Sequence, residues 1–171
     1  TPTIRDDGAL REEAVPVVHQ GRSIAVVTRH TNLTVGRTPS RLELTYRDLA
    51  DALTGMVASG EFPSPSAPTG VRRGAPRVGD GVFHLTHEGV IRYASPNAVS
   101  AIHRLGHVGD VIGEVLAQIA AELVGRSGSH VDESLAVVAM GRAPWRSEIE
   151  TASATVSLRA IPLTSGGQRN G

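Results

Sequence analysis

The tract Pro63-Ser64-Pro65-Ser66-Ala67-Pro68-Thr69-Gly70-Val71-Arg72-Arg73-Gly74 limits what this chain can fold into more than any other stretch. Three prolines among Ser, Gly and two arginines supply neither backbone donors for a ladder nor apolar side chains for a core. Residues 61–78 therefore read as a flexible linker. Whatever is folded must lie on either side of it, as two separate regions.

Ahead of the linker, Ala14-Val15-Pro16-Val17-Val18 and Ser23-Ile24-Ala25-Val26-Val27-Thr28 are β-branched apolar runs around a turn at Gly21, which predicts a hairpin. Pro16 suits an edge strand or a strand end. Two strands alone are marginal in water, so the hairpin is expected to belong to a larger sheet lying mostly upstream. Without that sheet it would be poorly ordered, or would pair with the following helix or with a neighbouring chain.

That helix has the clearest signal in the sequence. Ser40 and Glu43 have capping-box spacing, and Leu42, Tyr46, Leu49, Leu53 and Met56 recur at steps of four, three, four and three. Gly60 is the expected stop. The spacing fits a two-helix seam between copies of the chain, and equally an amphipathic helix packed on its own domain. Glu43 to Arg47 and Arg47 to Asp51 are expected i,i+4 charge pairs.

Beyond the linker the pattern is that of a compact α+β unit. Val82–Leu85 and Val90–Ala94 are short strands around His87-Glu88-Gly89. Ser95-Pro96 supplies a cap and a first-turn proline for a helix with Ala98, Val99, Ile102 and Leu105 on one face, ended by Gly106. Further helices are expected over Asp110–Val124 and Val131–Met140, the latter closed by Gly141. Alternating strands follow at Trp145–Glu150 and Thr155–Ile161. The order β-β-α-α-α-β-β predicts one antiparallel sheet with helices on one face, its final strand lacking. The chain has no initiator Met and stops at Gly166-Gly167-Gln168-Arg169-Asn170-Gly171, so both ends are expected to be cuts in a longer protein, the last a turn awaiting a strand.

Charge and composition remove several function classes. With 17 basic and 17 acidic residues the formal net charge is zero, so no uniform positive field draws nucleic acid or anionic lipid. Aromatics at 3% leave little for base stacking. No cysteine is present, which excludes disulfides and thiol chemistry within the chain. No signal peptide and no uncharged apolar run of about 18 residues is found. The expectation is a cytoplasmic protein without nucleic-acid or membrane partners.

The string Gly79-Asp80-Gly81-Val82-Phe83, with Glu88-Gly89-Val90-Ile91-Arg92-Tyr93-Ala94-Ser95-Pro96-Asn97-Ala98, resembles the start of a PAS domain. Gly141–Glu150 is similar to the strand after the long PAS helix. Val26–His30, Leu42-Glu43 with Tyr46-Arg47, Leu53, Met56, Gly60-Glu61-Phe62-Pro63, and His103-Arg104-Leu105-Gly106 extend the likeness to the sensor region of actinobacterial cytosolic histidine kinases of the PdtaS type. The resemblance covers residues 12 to 163. It implies the C-terminal part of a GAF domain over 1–36, a linker or dimerisation helix over 37–60, the linker 61–78, and a PAS domain over 79–171. It implies a homodimer, a kinase core in cis, and a response regulator as partner of the whole protein. Phosphoacceptor and ATP-binding motifs are absent, so ATP and Mg belong to that core, and this chain is expected to be neither an enzyme nor a cofactor carrier.

The resemblance also implies an apolar cavity lined by Phe83, Ile102, Leu135, Val138, Trp145, Leu158 and Ile161, which could instead be a filled core. Dimer-helix candidates are Leu42, Tyr46, Leu49, Leu53 and Met56. His103 and His107, or His84 and His87, invite a metal, and His103 or His130 a haem; each lacks the further ligands or partner motif such a site needs, so no metal site is assigned. Ser95, Ser100 and Ser134 lack a nucleophile-elbow context, and Asp132 and Glu133 have a structural reason to sit at a helix start. The alternatives are a PAS sensor holding a metal or cofactor, or a PAS module attached to another output such as a phosphatase or cyclase.

Overall fold

The computed structural model describes residues 3–7, 10–32, 38–62, 79–128, 130–143 and 146–171. The proline-rich tract and Trp145 lie outside them. The chain forms two compact units, one of Thr1–Pro63 with Leu163–Gln168, the other of Ser64–Pro162 with Arg169–Gly171.

The first unit is a three-stranded antiparallel sheet in the order β1-β2-β3 with one helix. Strands β2 (Leu10–His19) and β3 (Arg22–Asn32) are the expected hairpin, longer than its apolar cores at both ends. The turn is Gln20-Gly21, both with positive φ, at 49° and 74°. A two-residue turn of this hand matches the twist of the strands, and a one-residue shift of register between Val17 and Val18 then sets Val15 opposite Val27 and Glu13 opposite Arg29. Strand β1 (Thr3–Asp7) escapes sequence reading, because Thr-Ile-Arg-Asp-Asp has no apolar alternation; it exists by pairing with β2. The hairpin does pack on a helix. Helix α1 (Arg41–Ser59) starts at Ser40, whose hydroxyl accepts from the Glu43 N–H while the Glu43 carboxylate accepts from the Ser40 N–H at 2.8 Å. It ends at Gly60 in the left-handed region, φ 77°.

The second unit holds the main apolar cluster. Strands β4 (Phe83–Leu85) and β5 (Ile91–Ala94) pair antiparallel, and so do β6 (Arg146–Glu150) and β7 (Thr155–Arg159). The single sheet expected from the sequence is not what forms. The Tyr93 and Leu158 segments sit in separate two-stranded ladders, with no strand joining them among the described residues. After β7 the chain makes instead a tight hairpin, β8 (Thr164–Ser165) and β9 (Gln168–Arg169), around Gly166 and Gly167. The α+β class with antiparallel strands and packed helices holds nonetheless, because both ladders press their inner faces on one core. Ile91, Ile102, Leu105, Ile119, Leu123, Leu135 and Ile149 are at most 3% exposed there, and Phe83, Leu85, Val156 and Leu158 pack against them. Each such burial is worth roughly 1.5–3 kcal/mol, far more than a short isolated ladder supplies, so the core and not the pairing holds these hairpins.

Helix α2 (Pro96–Arg104) is capped by Ser95 as expected. The second expected helix begins later: α3 spans Leu116–Arg126, not Asp110 onwards. The cause is competition for backbone groups. Gly113 donates to the Ile91 carbonyl at 2.9 Å, Ile91 to that of Glu114 at 2.8 Å, and Leu116 to that of Gly89 at 3.1 Å, so residues 113–115 extend the β5 edge. Helix α4 (Glu133–Ala139) is shorter than Val131–Met140 because Asp132 caps it, its carboxylate accepting from the Ser134 N–H at 2.9 Å. Among the described residues no helix is long and apolar enough to cross a membrane.

Candidate functional site

Alternation along β2 and β3 puts Glu13, Val15, Val27 and Arg29 on the face that meets α1. There they line a half-open cleft of about 200 Å3 with Thr28, Ala50, Asp51 and Thr54. Arg29 dominates it electrostatically, its guanidinium bonding Glu13 on the neighbouring strand and Asp51 on the helix. Burial works against that charge, but the hydrogen bond that Arg29 donates to Glu13 and the attraction of both carboxylates outweigh it and hold the guanidinium above its ordinary pKa. The anticipated Arg47–Asp51 pair is thus replaced by a tertiary one: Asp51 turns to Arg29, while Glu43 is engaged by the cap. The arrangement clasps sheet to helix.

The helix candidates divide along their length. Met56 is 4% exposed and Leu49 and Leu53 are half-buried in the first unit, whereas Leu42 and Tyr46 stand 37% and 41% exposed. Leu44, off the expected seam, is 46% exposed. The free apolar surface of α1 is therefore its N-terminal half.

Of the cavity candidates, Ile102 and Leu135 are central in the second unit's core, Val138 is 3% exposed, and Phe83 and Leu158 pack against the cluster. Trp145 lies outside the described residues. Ile161 does not join them. Strand β7 ends at Arg159, Ala160 turns inward, and Ile161 is left 39% exposed. The side chains that meet here pack on one another as a core does.

Two histidines are brought together. The rings of His103 and His107 lie nearly parallel with centroids 6.5 Å apart, despite Gly106 between them. His103 Nε2 is 3.1 Å from the Gly109 carbonyl oxygen, while the Nε2 of buried His107 has no hydrogen-bond partner among the described residues. Among those residues no three His, Asp or Glu side chains converge as a metal site requires.

Two features escaped sequence reading. The Arg29 clasp depends on the hairpin register, which an irregularity between Val17 and Val18 moves by one residue from a count outward from the Gln20-Gly21 turn, so no local pattern pointed to it. The Glu61 carboxylate, which accepts from Thr164 and from the Gly167 N–H at 3.3 Å, left no local signal because its partners lie 103 and 106 residues away.

The family model for the GAF domain of the histidine kinase PdtaS matches residues 1–50, which takes in the three strands and the first half of α1. The sensor histidine kinase PdtaS of Mycolicibacterium smegmatis is 39% identical over 168 residues, 95% of this chain and 33% of that protein. Its namesake from Mycobacterium tuberculosis is 36% identical over 166 residues, 93% of this chain and 32% of that protein. The chain thus spans about a third of the length of the curated relatives it matches. A solved structure of the sensor region of a sensor histidine kinase superposes with a TM-score of 0.73 at 35% identity, covering 94% of this chain and 60% of that one. By sequence and by fold, this chain is a homologue of the sensor region of PdtaS-type sensor histidine kinases.

Proposed function

We propose that this chain is the cytoplasmic input and dimerisation region of a two-component sensor kinase. It regulates an ATP- and Mg-dependent kinase core in the same polypeptide, which phosphorylates itself on histidine and passes the phosphoryl group to a response regulator. The chain itself holds no cofactor and performs no chemistry. The second unit acts as a PAS-like receiver, and copies associate through the exposed Leu42–Tyr46 half of α1. An input works by favouring one arrangement of these elements over another, which requires that it bind the two with different affinity.

The observation that carries this reading is identity of 39% across 95% of the chain to one third of a sensor histidine kinase. Its support in the geometry is that polar groups among the described residues close helices and clasp elements. The test is autophosphorylation of the whole polypeptide carrying this chain, followed with labelled ATP and set beside a version from which these residues are deleted. The expected result is a changed rate of histidine phosphorylation or of transfer to the regulator. Identical rates with and without the chain would remove the proposal.

A further inference from the structure

We propose that the Glu61 carboxylate is a releasable latch, fastening the Thr164–Gly167 turn to the C-terminal end of α1. Glu61 follows Gly60, where α1 stops and its last carbonyls are gathered: the Met56 carbonyl accepts from the N–H groups of Glu61 and Phe62 at 2.8 and 3.2 Å. A carboxylate is ill placed for the helix there, since the C-terminal end already carries the negative end of the dipole. What favours it is the pair of donors from the far end of the chain, the Thr164 hydroxyl and the Gly167 N–H. Gly166 and Gly167 both have positive φ, 60° and 76°, and this turn presents the Gly167 N–H to the acid. The Thr164 hydroxyl first, then the Gly167 N–H and the Ser59 hydroxyl, hold the Glu61 carboxyl below its ordinary pKa against a contrary desolvation.

The contact is built to let go. Thr164 is half-buried and Ser165, Gly166, Gly167 and Gln168 are exposed, so no buried apolar side chain anchors the turn. Segments held by a few polar contacts open at much lower cost than core elements. Release would free the turn and the helix end while Met56, 4% exposed, stays packed. The latch stands apart from the sensor reading: amide exchange tests it without reference to kinase activity, and each can fail alone.

The experiment compares backbone amide exchange, by NMR on the 171-residue chain, in wild type, Glu61→Ala and Thr164→Val. Loss of one such hydrogen bond is expected to speed exchange at Gly167 by about fivefold to tenfold in both variants. Amides of Leu49–Met56 should keep their rates. Unchanged exchange at Gly167 in both variants overturns the proposal, and so does an equal acceleration throughout α1, which would make Glu61 a general structural support. Should Glu61→Ala fail to fold, Thr164→Val decides, since it keeps shape and charge.

Discussion

Gly81 shows how one residue constrains the second unit. A Cβ built there would stand 2.6 Å from the Cα and the N of Ala98, backbone atoms at the start of α2 that cannot swing aside. Ser95 secures the same corner, its hydroxyl accepting from the Val82 N–H at 2.9 Å and from that of Ala98. Gly81→Ala is therefore expected to cost about 1–3 kcal/mol through forced backbone shifts, read as a lower urea midpoint with an unchanged slope. Ser95 and Pro96 were legible as cap and first-turn residue because their chemistry acts within three positions. The need for glycine at 81 was not, because its reason is the backbone of Ala98, distant in the chain.

Elements were legible where local hydrogen bonding decides them. α1 begins at Ser40 and ends at Gly60 as its capping box and glycine require, since both ends are satisfied from within the segment. α3 was misread at its start because residues 113–115 had a competing partner in β5. α4 depends on Asp132, whose carboxyl is held below its ordinary pKa, chiefly by the Ser134 N–H and then by the Ser134 hydroxyl. The sign follows from linkage: a carboxyl lowered in the folded state supports the helix fully above its unfolded pKa and loses that support as pH falls through its folded value. The protection factor of the Ser134 amide, its exchange rate relative to that of an unstructured amide at the same pH, is thus expected to hold at neutral pH and to fall as pH drops through the folded value of Asp132. Asp132→Asn should flatten that acid response.

At the scale of the whole molecule the proposed association rests on α1. Its apolar seam is divided, Leu53 and Met56 turned into the first unit and Leu42 and Tyr46 toward solvent. If the exposed half pairs copies, Leu42→Glu is expected to shift the chain toward monomer by roughly tenfold or more in dissociation constant, read by analytical ultracentrifugation. Because Leu42 is 37% exposed, the thermal midpoint should hardly move. An unaltered association constant would assign the seam to internal packing. The sequence alone determined the caps of α1 and α2, the α+β class and the kinship with kinase sensor regions. These follow from periodicity, turn chemistry and ordered short strings, all of which act over a few residues. Tertiary structure alone decided that β1 exists, that β5 recruits residues 113–115, that the inner strands form two ladders over one core, and that Arg29 and Glu61 find their partners. Pairing between distant segments depends on which backbone edges and charges meet, and no local pattern specifies that.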